Sequence, residues 1–71
     1  MAGFGPRVKT LRTERGETQE VVARRAGIAL STYVRIETGT NEPSFNTLGR
    51  LAAALEVGIG ELVADSDKAA S

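Results

Sequence analysis

A chain of 71 residues with no cysteine and no histidine has room for one small core and none for a second. Neither a disulfide framework nor a Cys/His zinc site can brace that core, so stability must come from tight helix packing or from a partner subunit. The commonest general base and the best thiol nucleophile are both missing, and there is no glycine-rich phosphate loop, so an enzyme, a metal and a cofactor are not expected. No apolar run is long enough to span a membrane, and MAGFGPRVK at the N-terminus lacks the apolar stretch of a signal peptide; a cytoplasmic, nucleoid-associated protein is expected. Nine basic and nine acidic residues cancel, which taken alone argues against a polyanionic partner. Their distribution argues the other way: residues 1–35 hold seven cations and three carboxylates, residues 36–71 two and six. Such a split can focus positive potential on one face of a neutral molecule.

In chain order, Met1 to Gly5 contains two glycines and reads as a flexible N-terminus. Pro6 suits the first turn of a helix, where its missing N–H does no harm. Phe4, Val8 and Leu11 follow helical spacing and Gly16 is a natural stop, so the first helix is placed at Pro6 to Arg15, with arginine and lysine along its polar face. Thr18 is the expected N-cap of a second helix from Gln19 to about Arg25, where Val22, Ala23 and Ala26 form a narrow apolar stripe. Ala26, Gly27 and Ile28 make an elbow, Gly27 supplying the left-handed conformation of a sharp exit.

The third helix covers about 29–38. Ala29, Tyr33 and Ile36 form its inward stripe, while Ser31, Val34, Arg35 and Thr38, with Leu30 beside Val34, form a second stripe that buries no obvious core. Gly39 to Pro43 is turn chemistry. Ser44 should cap a fourth helix whose Phe45, Leu48, Leu51, Ala52 and Leu55 keep a strong helical period. After Gly58 a short helical turn at 59–63 adds Ile59 and Leu62, and residues 65–71 read as a loose tail. Without repeats or convincing strands, the expected fold is all-α, one compact five-helix domain over residues 6–64.

Two short helices joined by a three- to four-residue turn containing Gly is the layout of a helix-turn-helix. The ordered set Leu11-Arg12, Thr18-Gln19, Val22-Ala23, Gly27-Ile28, Ile36-Glu37, Gly39, Pro43-Ser44, Leu48, Leu51 to Val57 and Leu62 resembles the phage-repressor type of helix-turn-helix domain, the Cro/cI or XRE-like family. The resemblance spans about Arg7 to Val63. It implies a transcriptional regulator, with the third helix in the major groove of double-stranded DNA and the second crossing the backbone. Position by position it implies base reading by Leu30, Ser31, Val34 and Arg35, with Thr32 beside them. Thr18, Gln19, Arg12 and Thr38 match positions near phosphate, to which Arg7, Lys9, Arg24 and Arg25 can add attraction. It also implies an ion pair between Arg12 and Glu37 that ties the first helix to the end of the third.

Side-chain chemistry agrees with the base-reading set. Arg35 can offer two donors to guanine O6 and N7, a contact that discriminates by about 1–3 kcal/mol. Ser31 can pair with either base type, and Leu30 and Val34 can pack on thymine methyl groups. Gln19, just after the cap of the second helix, can present backbone and amide N–H groups to a phosphate. Two positions depart from the family pattern. Ala29 stands where Ser or Thr often caps the third helix, weakening its start by about 1 kcal/mol. Glu42 lies in a loop that is often basic, which should keep the electrostatic part of binding modest.

A homodimer is expected through the last helical turn, where Val57, Ile59, Leu62 and Val63 exceed what a minimal core needs. The pattern is shared by phage repressors, restriction-modification controllers and antitoxin-like autoregulators. A protein-interaction module on the same scaffold, without base reading, is the alternative, because fold alone does not fix function.

Overall fold

The computed structural model describes residues 4–63; residues 1–3 of the flexible N-terminus expected over 1–5, and the whole tail expected over 65–71, lie outside them, as do residue 64 and the Phe4 side chain. Within this range the chain adopts the all-α, five-helix architecture expected from its sequence: α1 (Phe4–Glu14), α2 (Gln19–Ala26), α3 (Leu30–Thr38), α4 (Phe45–Leu55) and α5 (residues 59–63).

Local chemistry sets most of these boundaries. The Thr18 hydroxyl oxygen accepts from the Val21 N–H at 3.2 Å, and that of Ser44 from the Thr47 N–H at 3.2 Å, each cap contributing about 1 kcal/mol. Both α2 and α3 end on a left-handed glycine, Gly27 at φ 74° and Gly39 at φ 86°. Beyond these glycines, the N–H groups of Ile28 and Thr40 return to the carbonyls of Ala23 and Arg35 at 3.0 and 2.9 Å, satisfying carbonyls the helix leaves open. At the end of α4 the same left-handed position is taken by Glu56, φ 60°, a conformation that costs a residue with a Cβ about 1–2 kcal/mol.

The first helix begins two residues earlier than its proline suggests. Gly5 is buried against the end of α3, where a Cβ would meet the carbonyl oxygens of Glu37 at 2.5 Å and Ile36 at 2.9 Å. Only a residue without a side chain lets the first turn of α1 approach so closely.

Packing sets α2 against both α4 and α3, and α1 against α3. Tyr33, Ile36, Leu51, Leu55, Leu62, Val8 and Val22 are fully enclosed, each aliphatic one worth about 1.5–3 kcal/mol of burial. The small Ala23 and Ala26 on α2 are buried too, and so let neighbouring helices close in. Three expectations are corrected. Ala29 is exposed because it is the N-cap, in extended conformation at φ −65°, ψ 146°, so helical periodicity does not reach it. Phe45 is 75% exposed: it is the first residue of α4, ahead of the stretch whose Leu48, Leu51, Ala52 and Leu55 enter the core. Leu62 is completely buried in its own chain's core, which removes it from any subunit interface. Val57, Ile59 and Val63 pack on the core from outside and stay partly exposed.

Candidate nucleic-acid interface

The two faces of α3 divide cleanly. Tyr33, Ile36 and Glu37 are buried, whereas Ser31, Arg35 and Thr38 are exposed and Thr32 and Val34 half-buried. Leu30 opens the helix at 44% exposure. The expected base-reading residues Leu30, Ser31, Thr32, Val34 and Arg35 thus share one accessible helix rather than serving the core. Ala29 makes no side-chain cap hydrogen bond, so the first N–H groups of α3 lack a side-chain acceptor there. The elbow at Gly27 fixes where α3 leaves α2, and Arg50 of α4 reaches it by donating to the Gly27 carbonyl at 3.4 Å.

Inside, one carboxylate gathers donors from three helices. Arg12 of α1 donates from Nε to Glu37 Oε2 at 2.7 Å and from Nη2 to Oε1 at 3.3 Å. Gln19 of α2 donates from Nε2 to Oε1 at 3.0 Å, and Tyr33 of α3 donates from its hydroxyl to Oε2 at 2.5 Å. The side chains of Arg12 and Glu37 are only 12% and 3% exposed. Burial works against ionisation of Glu37, but the hydrogen bonds from Arg12, Tyr33 and Gln19 prevail and hold its carboxyl below the usual range. Burial, then the Glu37 hydrogen bond, pushes the Tyr33 hydroxyl up, keeping it protonated and donating.

This geometry alters the residues expected near phosphate. Arg12 has its Nη1 on the Glu17 carbonyl at 2.9 Å as well as two nitrogens on Glu37, so it leaves the phosphate-facing set and is an internal cation. The Gln19 side chain is half-buried and turned inward to Glu37. Thr18 is exposed, its oxygen accepting the cap bond while its proton stays available. Thr38 is exposed and donates to the Arg35 carbonyl at 3.2 Å.

The positive half of the chain is also less open than its composition implies. Arg7 pairs with Glu61 at 2.8 Å, Arg15 with Glu17 at 2.9 Å, Arg25 with Glu17 at 2.7 Å and Arg24 with Glu20 at 3.4 Å. Hydrogen bonds from Arg25 and then Arg15 hold the Glu17 carboxyl down to about 2. The same two arginines reach the last carbonyls of α4, Arg25 to Ala54 at 2.9 Å and Arg15 to Leu55 at 3.4 Å, where cations complement the helix dipole. Among the described residues, Lys9, Arg35 and Arg50 are the cations without a carboxylate partner. Sequence reasoning missed Tyr33 as a polar group; the signal was present as Tyr33 and Glu37 at i, i+4 on one helix.

Comparison with known proteins converges on the same layout. A family model described as helix-turn-helix matches residues 8–62. Over 64 residues the chain is 41% identical to the cryptic phage CTXphi transcriptional repressor RstR of Vibrio cholerae, covering 90% of this chain but 58% of that protein, less than two thirds of its length. It is 39% identical over 64 residues to the uncharacterized HTH-type transcriptional regulator y4dJ of Sinorhizobium fredii (strain NBRC 101917 / NGR234), covering 90% of this chain and 83% of that one. Among solved structures, the restriction-modification controller protein C.AhdI from Aeromonas hydrophila matches with a TM-score of 0.83 at 34% identity, over 86% of this chain and 92% of that chain.

Proposed function

The chain belongs to the helix-turn-helix family, and from that premise we propose that it is a sequence-specific, DNA-binding transcriptional regulator acting in the cytoplasm without catalysis. The observation that carries the reading is the second face of α3, which stays out of the core although the helix is wedged among its neighbours. In this reading Arg35 pairs with guanine, Ser31 and Thr32 bond base edges, and Leu30 and Val34 contact thymine methyl groups. Thr18 and Thr38 flank that face as phosphate contacts, joined by the backbone N–H groups that open α2. The named relatives, a phage repressor and a controller protein among them, support it.

We further propose a homodimer joined through the partly exposed Val57, Ile59 and Val63. A two-fold dimer sets its recognition helices roughly 34 Å apart, one turn of DNA, on a palindromic site. Footprinting on genomic fragments tests the reading: protected half-sites about ten base pairs apart support it, and protection without sequence preference even at low salt rejects it.

A second reading has one observation in its favour. Leu30 and Phe45 are large apolar side chains at 44% and 75% exposure, each able to dock a protein partner. Loss of such a partner on Val34→Glu, in a protein with no DNA affinity, selects this reading over the first.

A further inference from the structure

We propose that Gln19 is a positioning residue for base reading: its hydrogen bond to Glu37 sets the angle of α3 against α2. The inference rests on α3 being the DNA-reading helix and concerns what aims it. The two helices are joined covalently at one end, where α2 runs through Gly27 into α3. At the other end, Gln19 is the first residue of α2 and Glu37 the last but one of α3, and Gln19 Nε2 donates to Glu37 Oε1 across the gap at 3.0 Å. Among the described residues this is the one side-chain hydrogen bond between α2 and α3. It therefore acts as a strut across the open side of the pair, opposite the elbow.

The strut has a firm footing. Glu37 cannot follow a moving Gln19, because Arg12 holds both its oxygens from α1. Leverage makes the position matter. At about 1.5 Å per residue α3 is roughly 13 Å long, so a displacement of about 1 Å at Glu37 swings it by about 4° around the elbow. Base-edge hydrogen bonds, which weaken steeply off their geometry, feel such a swing more than contacts to phosphate do. The half-buried, inward-turned amide thus serves sequence discrimination rather than general affinity. A side chain bonded directly to phosphate has the opposite signature, since its loss weakens binding about uniformly across sequences.

The test compares wild type, Gln19→Ala, Gln19→Lys and Tyr33→Phe on two duplexes: the tightest recovered by wild type from a random library, and a scrambled duplex of the same composition. Gln19→Ala leaves Glu37 bonded to Arg12 and Tyr33, so the fold persists, and thermal melting confirms it. The expected result is a loss of about fivefold to tenfold in the ratio of the two affinities, the worth of one hydrogen bond, with the scrambled duplex bound as before. Gln19→Lys, which restores a donor to Glu37, recovers most of the ratio. Tyr33→Phe removes a bond within α3 alone, so it lowers the melting temperature and leaves the ratio unchanged. Equal losses on both duplexes in Gln19→Ala, or no loss, overturn the proposal while leaving α3 as the reader. A wild type without any preference overturns both.

Discussion

Replacing Arg12 by alanine strips the main countercharge from Glu37, whose side chain is 3% exposed, and frees the Glu17 carbonyl that Arg12 also binds at 2.9 Å. Tyr33 and Gln19 remain as donors, but both are neutral. Breaking a buried ion pair by deleting one partner costs about 3–5 kcal/mol, because the remaining charge stays buried without compensation. A domain of this length has about 4–10 kcal/mol of stability in total, so the variant is expected to lose a large share of it. Each kcal/mol shifts the melting temperature of such a domain by about 4–8 °C, which puts the drop at roughly 12 °C or more. Circular dichroism melting and urea titration at neutral pH measure it. The double variant Arg12→Met/Glu37→Gln keeps an acceptor for Tyr33 and removes both charges, so it should recover most of the loss. A melting temperature for Arg12→Ala within about 2 °C of wild type refutes the claim that this pair holds α1 to α3.

Three further outcomes follow from the same structure. Glu17 and Glu37 both titrate lower in the fold than in the unfolded chain, so as acid is added the unfolded chain takes up protons first. Stability should be flat down to about 4.5, the ordinary value for glutamate, and fall as the pH drops towards about 2; melting curves across that range that do not move contradict it. Glu56→Gly should raise the melting temperature by a few degrees, since relieving a left-handed Cβ gains about 1 kcal/mol and the Arg15 contact it removes is at the surface; a lowered temperature makes that contact the larger effect. With Lys9, Arg35 and Arg50 as the cations free of carboxylates among the described residues, a dimer on DNA should show a log–log salt slope no steeper than about −5. A much steeper slope means that the arginine pairs open on DNA.

What was legible in the sequence is what depends on near neighbours along the chain. Thr18 and Ser44 as caps, Gly27 and Gly39 as left-handed stops, and the split of α3 into two faces all follow from chemistry within one or two turns. Tertiary contacts decided the rest. Gly5 reads as a reason to fray until the end of α3 is placed over it, when it becomes the residue that lets α1 start early. Phe45 fits the apolar period of α4, but period does not say where along a helix its neighbour ends. Leu62 reads as surplus because the volume the core must fill is not visible in a count of apolar residues. The meeting of Arg12, Gln19 and Tyr33 on Glu37 joins positions up to 25 apart, and the resemblance to a family suggested one of its three arms. Composition likewise gave the charge split, while the pairing of Arg7, Arg15, Arg24 and Arg25 with carboxylates needed the folded geometry.

Reading of DNA by the outward face of α3 is tested most directly by selecting bound duplexes from a random library, with wild type and Arg35→Ala side by side. The account predicts that wild type enriches one two-fold symmetric sequence with half-sites about one helical turn apart. It also predicts that Arg35→Ala loses preference at a single position per half-site, at a cost of about 1–3 kcal/mol. A wild type that enriches nothing, or an Arg35→Ala variant that enriches the same sequence to the same degree, contradicts it.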